Sequence, residues 1–103
     1  MEIRILGAHN SESANTRLVS LLVDQVLAID AGSITSSLHF AQQRELKAVF
    51  LTHHHFDHVR DLPILGLNLY AQRTVEVYAL QSALNIVSSC LLTDKMSLSH
   101  KPL

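Results

Sequence analysis

Four of the chain's seven histidines fall inside the six residues His53 to His58, and the stretch Thr52-His53-His54-His55-Phe56-Asp57-His58 follows directly on the apolar run Leu46-Lys47-Ala48-Val49-Phe50-Leu51. Such a run reads as a buried strand. In extended backbone alternate residues point the same way, so His53 and His55 can present two imidazoles to one ion. Where the chain then bends, Asp57 and His58 can face a second ion beside the first. Neutral imidazole and carboxylate suit zinc, manganese or iron. Two ions ~3.5–4 Å apart can activate a water between them and stabilise a leaving oxygen. His54 and Phe56 fall on the other side, toward packing or support. A surface tract of histidines that binds metal adventitiously would need neither a buried strand before it nor an Asp at this offset.

The rest of the chain supplies a scaffold for that loop. Ile3, Ile5 and Leu6 predict a first strand, and the polar Gly7–Asn15 stretch predicts a loop. Leu18–Val23 and Val26–Ile29 predict a hairpin around Asp24-Gln25, which is not a favoured turn pair. Ser33 or Thr35 would cap a helix running to about Gln43. Asp61 would cap another, with Pro63 in its first turn. Val75–Ala79 alternates as a strand does, and Gln81–Leu92 reads as a helix. The chain then turns polar. Strands first and alternating helices and strands afterwards give an α/β class with a mixed sheet.

At 103 residues the chain holds one domain at most, and 48% hydrophobic residues exclude general disorder. A formal charge of −1 makes nonspecific nucleic-acid attraction an unsuitable driving feature. One Cys excludes an intrachain disulfide and fits a reducing compartment. Cys90 reads as a small core residue. No apolar stretch reaches the ~20 residues of a spanning helix. The expectation is a cytoplasmic protein with no membrane association.

The sequence resembles the metallo-β-lactamase-fold hydrolases. His53-x-His55-x-Asp57-His58 after Ala48-Val49-Phe50-Leu51-Thr52 carries the resemblance, and Leu27-Ala28-Ile29-Asp30-Ala31-Gly32 is similar to a second family signature. Ile5-Leu6-Gly7 with Asn15-Thr16-Arg17, and Asp61-Leu62-Pro63, resemble the ribonuclease Z and class II cyclic-nucleotide phosphodiesterase branch. Thr74–Ala79 and the helix after it resemble the phosphodiesterase members. The resemblance implies the N-terminal half of an αββα sandwich, with residues 1–103 a partial domain and its partner sheet largely absent. It implies two divalent ions, zinc first, with manganese or iron as alternatives. His53 and His55 would bind one, Asp57 and His58 the other, and Asp57 would also be the general base. Asp30 would orient the His loop by hydrogen bonds from behind, although an Asp at a strand end also has a plain turn role. Gly32 would allow a tight strand exit. The implied reaction is hydrolysis of a phosphodiester, RNA or a cyclic nucleotide, by a metal-activated water. A homodimer is compatible with the family.

Three downstream ligands of the family, two His and a bridging Asp, have no clear counterpart. His100 lies in a polar tail, Asp94 has no motif around it, and His9 reads as a solvated loop residue. Two donors per ion fall short of the usual four positions of zinc. The alternatives are a truncated, non-catalytic metal-binding half-domain, or a hydrolase of a thioester or lactam that uses the same half-site. With those ligands missing, the isolated chain is expected to be inactive.

Overall fold

A computed structural model describes residues 1–70, 72–90 and 98–102, with the backbone alone at Cys90 and Leu98–His100. Six strands form one sheet in chain order: β1 Ile3–Gly7, β2 Ser20–Val23, β3 Leu27–Ile29, β4 Ala48–Phe50, β5 Val75–Ala79 and β6 Leu98–Pro102. The β1–β2 and β2–β3 pairs are antiparallel, and the three later pairs are parallel. The sheet is mixed because a two-residue turn can reverse the chain, whereas parallel neighbours need crossovers. Helix α1 (Phe40–Glu45) lies in the first crossover. The one-turn α2 (Phe56–Val59) and α3 (Leu62–Asn68) lie in the second, and α4 (Gln81–Cys90) in the third.

Strand alternation decides which residues enter the core. Leu22, Ala28, Val49 and Val77 are register partners along one row and are all buried, together with Leu38, Leu46, Leu62, Leu65, Leu84 and Val87 of the crossovers. Burying each large aliphatic side chain contributes about 1.5–3 kcal/mol. The adjacent row, Ile5, Leu21, Ile29, Phe50 and Tyr78, lies on the opposite face and is half-buried to exposed. Phe50 and Tyr78 meet there with ring centroids 4.9 Å apart.

The expected hairpin forms, while expectations for the helix starts and the tail are corrected. The hairpin turn is left-handed at both Asp24 (φ 50) and Gln25 (φ 64), so the unfavoured pair adopts the primed turn that strand twist demands. The helix expected from Ser33 or Thr35 begins only at Phe40, and residues 34–38 form a turn closed by Leu38 N–H donating to the Ile34 carbonyl at 3.0 Å. Asp61 stands at the start of α3, but its carboxylate does not cap that helix. Thr35 supplies both partners instead: its N–H donates to Asp61 Oδ2 at 2.8 Å and its hydroxyl at 2.9 Å. Two expected caps thus bond to each other across 26 positions. The supposed polar tail contains β6, which pairs with β5 and sets His100 opposite Val77. Asp94, Leu91 and Leu92 lie outside the described residues, as do the side chains of His100 and Cys90. Among the described residues no helix is long and apolar enough to cross a membrane.

Candidate metal centre

The site forms where two adjacent parallel strands end, the usual place for a binding crevice in open α/β sheets. Asp30 follows β3 and the His loop follows β4. Asp30 is left-handed (φ 64), a conformation Asp tolerates better than most residues. Its backbone is pinned on both sides: its N–H donates to the Phe50 carbonyl at 2.8 Å, and its carbonyl accepts from Ser20 Oγ at 2.8 Å. The turned backbone aims the carboxylate at the next strand end. There Oδ1 accepts from Thr52 N–H at 2.8 Å and Oδ2 from the Thr52 hydroxyl at 2.6 Å. His58 Nδ1 stands 2.9 Å from the same Oδ2. The carboxylate is 4% exposed, so these contacts, rather than water, satisfy it.

Backbone bonds lash the two loops together. Ala31 N–H donates to the His58 carbonyl at 2.6 Å, and Asp61 N–H donates to the Ala31 carbonyl at 2.7 Å. Gly32 lies between them with no positive φ. Its lack of a side chain serves close approach rather than a tight strand exit, since a Cβ there would stand 2.3 Å from the Asp57 carbonyl oxygen.

The structure brings His53, His55 and His58 side by side. Ring centroids of His53 and His55 are 5.7 Å apart and nearly parallel, and those of His53 and His58 are 4.8 Å apart. His58 Nε2 stands 3.5 Å from Asp57 Oδ2. Two ligands at ~2.0–2.1 Å from a tetrahedral ion stand roughly 3.3–3.4 Å from each other, so this pair has the spacing of neighbours on one ion. The donor chemistry and spacing fit a divalent cation. Among the described residues, however, no three His, Cys, Asp or Glu side chains converge as one ligand group. What is present is a cluster of three imidazole rings, with the His58–Asp57 contact at ligand spacing.

His54 touches His55 edge-on and is exposed. Phe56 does not pack, being 63% exposed. His9 bonds with Arg17, whose N–H donates to His9 Nδ1 at 3.2 Å, and no described contact joins it to the His loop. Sequence reasoning missed Thr52, although it immediately precedes the motif. It also missed the ion pair of Glu12 with Arg60, which ties the first loop to the end of α2. That pair joins residues 48 positions apart, so no local spacing announces it.

A family model described as the metallo-beta-lactamase superfamily matches residues 19–72. A search of curated proteins found no match. Among solved structures, the metallo-beta-lactamase fold protein YhfI from Bacillus subtilis is similar, with a TM-score of 0.78 and 22% identity over 98% of this chain and 45% of that one. Zn(2+)-bound PqqB from Methylobacterium extorquens gives 0.70 and 19% over 100% of this chain and 49% of that one. Human tRNase Z, short form, gives 0.66 and 16% over 99% and 44%. At these identities the likeness is one of fold, and the chain spans just under half the length of each of these structures.

Proposed function

Since the chain belongs to the metallo-beta-lactamase superfamily, we propose that its His loop serves the metal-dependent hydrolysis of a phosphodiester bond, in RNA or a cyclic nucleotide. The observation that carries this reading is the Asp57–His58 pair at ligand spacing, with Asp30 bonded behind His58. Carboxylate–histidine–metal arrangements of this kind fix the ring and raise its basicity. His53 and His55 would hold one ion and Asp57 and His58 the other, zinc being the ion we expect. Bound divalent ions supply Lewis acidity for a phosphoryl oxygen and lower the pKa of water.

The chain's own residues have separable tasks. Asp57 accepts the proton of the attacking water at its carboxylate. Asp30 holds His58 in one ring orientation through Nδ1. Thr52 fixes the start of the loop through its N–H and hydroxyl. The phosphodiester substrate is favoured by the fold likeness to a protein named tRNase Z. Thioester or lactam hydrolysis would use the same two pairs.

A second reading has an observation of its own. The absence of a three-donor group among the described residues favours a half-site that binds metal but does not turn over by itself. The two are separated by assaying the 103-residue chain with zinc or manganese on an activated phosphodiester, a thioester and a lactam. We expect metal binding with background hydrolysis. Metal-dependent phosphodiester turnover abolished by His55→Ala would show that the two pairs suffice. Turnover of the thioester or lactam alone would overturn the substrate class.

A further inference from the structure

We propose that Thr52 is a positioning residue whose hydroxyl relays the orienting influence of Asp30 to His53, so that one carboxylate presets a histidine in each candidate ligand pair. A carboxylate only accepts, so the 2.6 Å contact between Thr52 Oγ and Asp30 Oδ2 uses the one hydroxyl proton. Thr52 Oγ also stands 3.0 Å from His53 Nδ1. With its proton already donated, the hydroxyl can only accept there, so His53 carries its ring proton on Nδ1. His58 Nδ1 faces the same Oδ2 at 2.9 Å and must be protonated for the same reason. Thr52 Oγ lies 3.5 Å from His58 Nδ1, too long to compete with that bond.

In the neutral ring this leaves both histidines with an Nε2 lone pair, the form a metal ligand requires. His58 is set directly by Asp30 and His53 through one intervening hydroxyl. The left-handed backbone of Asp30 is what lets a single carboxylate reach Thr52 and His58 together. The proton assignment stands on this network alone. Only its consequence, readiness for a cation, rests on the metal reading.

The test is long-range proton–nitrogen correlation on the histidine-labelled, metal-free 103-residue chain at mildly alkaline pH. The expected wild-type result is His53 and His58 both protonated at Nδ1. Thr52→Val should release His53 from that form and leave His58 in it, whereas Thr52→Ser should match wild type at both. A wild-type His53 protonated at Nε2 overturns the relay, and this arm does not depend on any variant folding. An unchanged His53 in folded Thr52→Val also overturns it. Zinc titration supplies the consequence: Thr52→Val should weaken binding about tenfold or more, with Thr52→Ser close to wild type. If the tautomers are as stated and wild-type chain binds no zinc, the relay stands and the metal reading fails.

Discussion

Gly32 and Asp57 meet where the loops after β3 and β4 cross, and a Cβ on Gly32 would stand 2.3 Å from the Asp57 carbonyl oxygen. The neighbouring Leu18 Cβ and Val19 carbonyl leave no other direction in which to yield. The position of a candidate ligand therefore depends on the absence of one methyl group 25 residues earlier in the chain. Gly32→Ala should destabilise the fold by about 1–3 kcal/mol, the usual range for overpacking. It should also weaken zinc binding, because relief requires the Asp57 backbone to move. Urea unfolding and zinc titration on the same variant check both. Unchanged zinc affinity in a destabilised variant would separate the close approach from the site.

Asp61 offers a test by pH. It is fully buried, its Oδ1 has no hydrogen-bond partner among the described residues, and Arg60 Nε stands 3.8 Å away. Burial raises its pKa above the ordinary 3.8, against the opposing hydrogen bonds from Thr35. A carboxyl with a raised folded pKa holds its proton more tightly when folded. Its stabilising contribution is complete below the unfolded value and is lost as pH rises through the folded one. The contribution of Asp61 to wild-type stability should thus fall as pH rises from the ordinary carboxylate range upward. Asp61→Asn keeps an acceptor for Thr35 and removes the titration, so it should flatten that slope and match or exceed wild type at neutral pH. Parallel urea titrations across pH check this, and a slope unchanged in Asp61→Asn would assign the effect elsewhere.

The hairpin turn gives a prediction with the opposite sign. Gln25 is held at φ 64 with no glycine to ease it. Gln25→Gly should stabilise the fold by about 1 kcal/mol, since the left-handed penalty of a side chain disappears and the pair becomes a favoured Asp-Gly turn. Thermal unfolding checks it, and a lower midpoint would show that the Gln25 side chain stabilises more than its backbone costs.

Much of this architecture was legible because it is local. Val75–Ala79 alternates, and the structure places β5 on those residues. The two apolar runs around Asp24-Gln25 do form a hairpin, and Asp30 does bond to the His loop. What was illegible depends on distant partners. Ser33 and Thr35 have the chemistry of helix caps, but Ser33 Oγ donates to the Leu18 carbonyl and Thr35 to Asp61. Those bonds leave neither free to start a helix, and α1 begins after His39. Strand β6 was hidden because Leu98-Ser99-His100-Lys101-Pro102 carries no apolar alternation, its pairing with β5 being a matter of backbone. Phe56 was expected on the packing side of the loop. Its exposure follows from α2, a single turn in which only Val59 is buried.

Under the proposed function His53, His55, Asp57 and His58 act as two ligand pairs, and not as an adventitious histidine tract. Zinc titration of single alanine variants of the folded chain tests this most directly. His53→Ala, His55→Ala, Asp57→Ala and His58→Ala should each weaken binding by about tenfold or more, whereas His54→Ala, which removes an exposed ring outside both pairs, should leave it unchanged. Loss in His54→Ala equal to that in His58→Ala, or no zinc binding by wild type, would contradict the account.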